Sequence, residues 1–364
     1  MWKFVRIYLV PGAIFQSILV GGGYGTGREV VEYFTRLGPY AGLLAILVAF
    51  CVFAVVLCLT FEIARRFRAY DYRTFFKILL GPGWFLYEVI GLCMMMIVFA
   101  VLISAAAGVL DDGFGLPASY GIAAVFLLVG TLEFFGREAV MRVLTFWSLV
   151  LYGVFITFLI EIYAAVPEGI GSAFATGQVG AGWGQSGFMY AMYNITAVPI
   201  ILYVTRDFET TNHSVGAGLI AAIIAVVPAV IFHIAFSTAY PQISEQDIPV
   251  YWMMNLYGMS ALSIAFTIML FGTLVETGAG VLQGVNERID GFRIERGSST
   301  LGRWGHTGVA LAFMAASLAV ASVGIKDLID KGYGAMALGF LAVYFIPLVT
   351  IGVYKIVRSE QTAA

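Results

Sequence analysis

The sequence predicts an all-α polytopic membrane protein of about ten transmembrane helices, one domain over residues 1–364, on three observations. Of its 364 residues 60% are hydrophobic and only 12% charged, and the mean hydropathy is +0.92. A water-facing surface cannot sustain that composition, whereas bilayer-facing helices require it. Apolar runs of about 20 residues, enough to cross the hydrocarbon core, recur along the whole chain. Lys and Arg gather in alternate connections, as the positive-inside rule demands. The formal net charge of −2 is uninformative about partners. The lipid bilayer and a small-molecule solute are expected, and nucleic acid is not.

The first segment, 7–36, follows Lys3 and Arg6 and imitates a signal peptide. A glycine cluster rather than a small-residue cleavage site comes next, so it reads as a retained first helix. Further segments fall at 39–63, 84–110, 117–135, 140–165, 187–206, 214–239, 257–285, 304–323 and 333–355. The longest connections, 166–186 and 240–256, are too short for a soluble domain. With the N-terminus in the cytoplasm, most basic residues lie on that side, including Arg65, Arg66, Arg137, Arg142, Arg288 and Lys355. The exceptions are Arg28, Arg36, Lys326 and Lys331, while the outer loops carry Asp111, Asp112, Glu168, Glu245 and Asp247. A bacterial inner membrane with both termini cytoplasmic follows. Five helices per half (1–167 and 185–357) turn the second half upside down relative to the first, the inverted-repeat condition. Cys51, Cys58 and Cys93 sit in apolar runs without metal or disulfide spacing and read as packing residues.

The first segment carries Gly21, Gly22, Gly23, Tyr24, Gly25, Thr26 and Gly27 in its middle, and so much glycine argues against a continuous helix. The sixth segment opens the second half and carries Asn194, Ile195, Thr196, Ala197, Val198 and Pro199 at the matching place, where proline removes a backbone donor. Taken singly, the glycines serve close helix packing and Pro199 a kink. Together they predict that helices 1 and 6 are broken mid-membrane. Irregular backbone at that depth must be buried or line a cavity, and paired breaks of this kind hold solutes in transporters. The expected solute site is therefore Gly21, Gly23, Tyr24, Gly25, Thr26 and Gly27 facing Tyr193, Asn194 and Thr196.

The run Gly21-Gly22-Gly23-Tyr24-Gly25-Thr26-Gly27-Arg28-Glu29-Val30-Val31-Glu32 and the later Leu274-Val275-Glu276-Thr277-Gly278-Ala279-Gly280 and Asn286-Glu287-Arg288-Ile289 resemble the signatures of the YkvI-like bacterial membrane proteins. Across the whole chain that family is similar to the amino acid–polyamine–cation transporter superfamily. The resemblance implies the five-plus-five inverted repeat of the sodium–leucine symporter and, by the superfamily's preference, amino-acid-like solutes. It also implies a cation site from Leu19 and Gly22 on the first helix with Glu276 and Thr277 on the eighth. A carboxylate in place of a second hydroxyl departs from the usual sodium pattern. Glu276 is thus open to three roles: ligating a cation such as sodium, carrying a proton, or pairing with a cationic substrate.

Among individual residues, Glu276 stands alone among Phe271, Leu274 and Val275, and an ionisable group in the membrane needs a cavity or a partner. Arg28 and Glu29 begin the second half of the first helix: Glu29 suits the positive end of that half-helix and Arg28 a substrate carboxylate or an outer gate, or the two form a plain salt-bridge pair. Glu88, near Trp84 and Tyr87, and the helix-spaced pair Glu133 and Arg137 read as structural. His213, His233 and His306 share no ligand spacing, so no metal site is expected. Tyr24, Tyr190, Tyr193 and Tyr203 flank the breaks and are candidates to line or gate a pocket. No phosphate loop, zincin motif or nucleophile elbow is present, which excludes the common enzyme classes, and no cofactor is implied. The expected function is ion-coupled secondary transport, with sodium or protons as coupling ion. An uncoupled channel or facilitator and a transporter-like sensor are the alternatives.

Overall fold

The computed structural model describes residues 2–135, 153–166, 169–175 and 179–363. Helix α1 (Val5–Leu19) ends where Val20 leaves the helical region with φ −78° and ψ 69°. A single turn, Gly22–Gly25, follows, and the chain re-enters a helix as α2 (Arg28–Tyr33). The corner between them is Gly27, at φ +82°, where a Cβ would also meet the Phe236 ring and Val250. Only glycine turns left-handed in that space.

Pro39 at the first turn and Arg65 and Arg66 in the last frame the 29-residue α3 (Pro39–Phe67), matching helix-end preferences. The amphipathic α4 (Tyr72–Leu80) is capped by Asp71, which accepts from the Thr74 N–H at 2.8 Å, and it buries Phe75, Phe76 and Leu79. Next to it the Trp84 ring lies 5.2 Å from the Arg73 guanidinium and 5.3 Å from the Lys77 ammonium, as suits a membrane–water boundary. Then come α5 (Phe85–Phe114), α6 (Ala118–Phe135), α7 (Gly153–Ala165) and the short α8 (Gly169–Phe174). The second half holds α9 (Trp183–Asp207), α10 (Thr211–Ser237), the short α11 (Pro249–Leu256), α12 (Ser260–Glu295), α13 (Arg303–Ala321) and α14 (Ile325–Ser359). Among the described residues, 8 helices are long and apolar enough to cross a membrane, and α1 and α7 are shorter apolar helices. Part of the expected segment 140–165 lies outside the described residues, with Arg137, Arg142 and Glu168.

Two expectations are corrected. The sixth segment does not leave the helical region: α9 tightens from α to 3₁₀ winding at Ile195 and stays so to Asp207. Pro199 costs the helix one donor, and rewinding keeps the neighbouring backbone bonded without opening it to lipid. The last helix begins at Ile325 rather than 333, since Lys326, Asp327, Asp330 and Lys331 hide a helical start that includes a π-wound stretch, Leu328–Tyr333. Of the cysteines, Cys51 and Cys93 are exposed, and only Cys58 is partly packed.

Helices α1, α3, α9 and α10 pack on one another as one group, and α5, α6, α12 and α13 as a second. Each group draws two helices from either half of the chain. The turn Gly22–Gly25 touches α5 and α12, which puts the break in the first helix where the two groups meet. Outward faces present large apolar side chains such as Leu127, Ile160 and Ile268. The four basic exceptions all meet acids: Arg28 and Arg36 flank Glu32, Lys326 lies 3.2 Å from Asp247, and Lys331 lies 2.7 Å from Asp327.

Helix α9 approaches α3 so closely that a Cβ on Gly187 would overlap the Ala45 backbone, whereas one on Gly184 would meet nothing. Gly187→Ala is expected to destabilise by about 1–3 kcal/mol through overpacking, while Gly184→Ala leaves stability unchanged or raised. Thermal melts of the two purified variants check this contrast.

Candidate functional site

The break in the first helix is held by its own polar atoms. Gly25 N–H donates to Gly21 O at 2.7 Å, Gly27 N–H to Tyr24 O at 2.9 Å, and the Thr26 hydroxyl to Gly23 O at 2.9 Å. Thr26 O in turn accepts from the N–H of Val250 at 3.3 Å, which ties the break to α11. On one side, Gly21 lies against Thr277 of α12: a Cβ there would stand 3.7 Å from the threonine methyl. Leu19 is buried just before, and Glu276 and Thr277 are half-buried. The Leu270 side chain covers Gly25 from the same helix. Gly21, expected at the solute site, thus lies against Thr277, expected at the ion-coupling site.

On the other side the break meets α9 through Glu29. Its carboxyl Oε1 folds back over Gly23, which has no side chain to obstruct it, and the Tyr24 N–H donates to the carboxyl. The Tyr193 hydroxyl donates to Oε2 at 2.6 Å. Tyr24, Tyr190 and Tyr193 are all buried, and Tyr193 stacks between Tyr33 (5.4 Å) and Tyr333 (4.5 Å). The Tyr33 hydroxyl reaches the π-wound part of α14, donating to Ile329 O at 2.9 Å. Asn194 turns its amide back onto Tyr190 O at 3.0 Å, and Thr196 O accepts from Tyr87 of α5 at 3.4 Å. Tyr203 does not join this cluster: it is 49% exposed, with its ring on the outer face of α9.

Arg28 and Glu29 part company. While Glu29 points to the break, the Arg28 guanidinium donates to Ser244 O and Gln246 O, each at 2.9 Å, and pairs with Glu32. Lys326 adds a second clamp on the same loop through Glu245 O at 2.5 Å and Asp247. The loop before α11 is thus fastened to α2 and to the start of α14. At the opposite end Lys3 and Arg6 meet Glu209 and Asp207 at 3.1 and 2.8 Å.

The residues missed from the sequence are Glu32, Tyr33, Tyr87 and Tyr333. Glu32 had a signal, standing four residues from both Arg28 and Arg36. The tyrosines had none, because their partners lie far along the chain. Elsewhere Glu88 pairs with Arg288 at 3.2 Å, and Asn286 donates to Glu133 at 3.0 Å. His233 is held by Pro39 O at 2.8 Å and the Thr35 hydroxyl at 3.0 Å. No group of three or more His, Cys, Asp or Glu able to hold a metal occurs among the described residues.

No family model matches the chain. A protein of Bacillus subtilis (strain 168), the uncharacterized membrane protein YkvI, is 22% identical over 289 residues, which cover 77% of this chain and 80% of that one. The chain is similar to YkvI. The resemblance to YkvI expected from the sequence is thereby shown. Among solved structures, a substrate-bound, outward-open Na+-coupled sialic acid symporter matches 93% of this chain and 78% of its own at 12% identity, with a TM-score of 0.66. A mutant of the manganese transporter of Eremococcus coleocola matches 95% and 79% at 15% identity, with a TM-score of 0.58. The chain thus has the fold of those two membrane transporters, neither of which is an enzyme.

Replacing Arg28 by Gln removes a buried charge pair and two loop tethers. A loss of about 3 kcal/mol is expected, as Glu32 keeps only the partly exposed Arg36. Hydrogen exchange should rise across 242–250 before it rises in α3, which peptide-resolved mass spectrometry checks.

Proposed function

We propose that the chain is an ion-coupled secondary transporter that carries a small polar or zwitterionic, amino-acid-like solute by alternating access. The observation that carries this reading is the buried break of the first helix, set where the two helix groups meet. Irregular backbone is tolerated at membrane depth only where it is buried or lines a path. The solute would be held by Gly21, Gly23, Tyr24, Gly25, Thr26 and Gly27 with Tyr193, Asn194 and Thr196. The tightened winding of α9 from Ile195 supports a hinge there. The coupling ion, Na+ or H+, would sit among Leu19, Gly22, Glu276 and Thr277, supported by the contact of Gly21 with Thr277. One of the structural neighbours is Na+-coupled. Arg28 acts as the outer gate, clamping the loop before α11, with Glu29 as its companion on the inner side of that gate. In the proposed membrane topology both termini are cytoplasmic in a bacterial inner membrane, and the halves 1–167 and 185–357 form the inverted repeat.

The test screens the purified chain by thermal shift against amino acids, amines and organic acids, in sodium and in potassium buffer at two pH values, then measures uptake of any hit into liposomes. A solute whose stabilisation requires sodium or depends on pH, and which accumulates, is the expected outcome. In Thr277→Ala the apparent ion affinity should drop on the order of tenfold, equivalent to about 1.4 kcal/mol. Equilibration without accumulation would make the protein a facilitator, and saturable binding without flux a sensor.

A further inference from the structure

Buried inside the junction of the two helix groups is a carboxylate without a basic partner. Glu29 is 3% exposed, and no Lys, Arg or His of the described residues forms a salt bridge with it. The nearest basic side chains in sequence are committed elsewhere: Arg28 to Glu32 and two loop carbonyls, Arg36 to Glu32. From α9 the carboxyl is faced by Tyr193 and Tyr190, and from α14 by Tyr333, with Asp330 three residues before it. From α10 the one titratable group near the outer half of the first helix is His233, held by Thr35 and Pro39 O. The loop before α11 brings only backbone carbonyls to Arg28, with Glu245 alongside. None of these supplies a positive charge to Glu29. An unpaired buried carboxylate is among the costliest states in a membrane protein, and one proton removes that cost.

We propose that Glu29 binds and releases a proton during the transport cycle, and that its loaded form holds the first-helix break against Tyr193 as seen here. The proposal rests on the transporter reading above and adds a proton-binding group outside the coupling site named there. Two observations favour a proton over a larger cation. Oε1 is pressed onto the Gly23 backbone, where even a methyl would overlap it. Oε2 is held by the Tyr193 hydroxyl at 2.6 Å, inside a stack of tyrosine rings. The step forms one O–H bond on the carboxylate with a proton from water on one side, and breaks that bond to return it on the other.

Coupling follows from burial. In this conformation Glu29 reaches neither aqueous phase, so its proton exchanges only when the six-residue α2, hinged at Gly27, parts from α9. That motion also opens the break proposed to hold the solute. Two events that share one movement are linked in free energy.

The test is a pH-jump infrared difference measurement on the purified full chain, from mildly acidic to alkaline buffer, following the C=O band of protonated carboxyl groups. The parent chain is expected to lose a band that is absent in Glu29→Gln and retained in Glu29→Asp. In Tyr193→Phe the carboxyl remains but loses a donor to its charged form, so the band should persist to higher pH. The same band loss in Glu29→Gln as in the parent, or no titrating band in the parent, overturns the proposal. So does an unmoved titration in Tyr193→Phe, a variant that remains informative if Glu29→Gln does not fold. Failure here with solute accumulation in liposomes intact would leave the transporter reading standing. A titrating Glu29 in a chain that binds solute without flux would sink that reading instead.

Discussion

Backbone polar groups cannot face hydrocarbon, and the rest of this structure is arranged around the one place where the chain breaks that rule most openly. Between Val20 and Gly27 the first helix gives up its regular ladder. Its freed atoms are bonded locally, by Thr26 on Gly23 O, Gly25 on Gly21 O and Val250 on Thr26 O. Such a segment can persist only in the interior, and it lies between α5 and α12 of one group and its own partners of the other. The glycines serve the same end from the opposite direction. They let Glu29 fold onto Gly23 and let Gly27 turn a corner beneath Phe236.

Charge placement follows a similar logic. The end that holds the N-terminus carries many basic groups, several paired with acids such as Glu62, Asp207, Glu209 and Glu295. The opposite end tolerates four basic residues because each is matched with a carboxylate. Of these Arg28 is almost wholly buried, and a buried charge must be bonded fully to be stable. Glu32 and two loop carbonyls meet that demand, and meeting it fastens the loop before α11. Glu29, next in sequence, is directed inward by the turn of α2 and meets hydroxyl and backbone donors instead.

The structural likeness to the Na+-coupled sialic acid symporter persists at 12% identity because the bilayer asks only for apolar surfaces of the right length. Many sequences meet that requirement with the same helix arrangement. Which solute a chain of this fold takes depends on a few side chains, and fold likeness does not reach them. The close contact of Gly187 with Ala45 belongs to the fold, whereas the tyrosines around Glu29 belong to this chain's own chemistry.

What the sequence determined by itself was the membrane-spanning class, the place of the first break and the position of Arg28 and Glu29 just after it. These are local properties, written in hydropathy, glycine content and helical spacing. It also placed an irregularity at 194–199, though as a break where the helix in fact rewinds, because a proline's lost donor can be accommodated in more than one way. The start of α14 was hidden for a related reason: its charges are neutralised by partners that hydropathy does not see. Only the tertiary structure decided that Tyr193, Tyr333 and Gly23 converge on Glu29, that Thr277 lies on Gly21, and that Tyr203 faces outward. Those contacts join residues far apart in the chain, and which face of a helix turns inward is set by what packs against it.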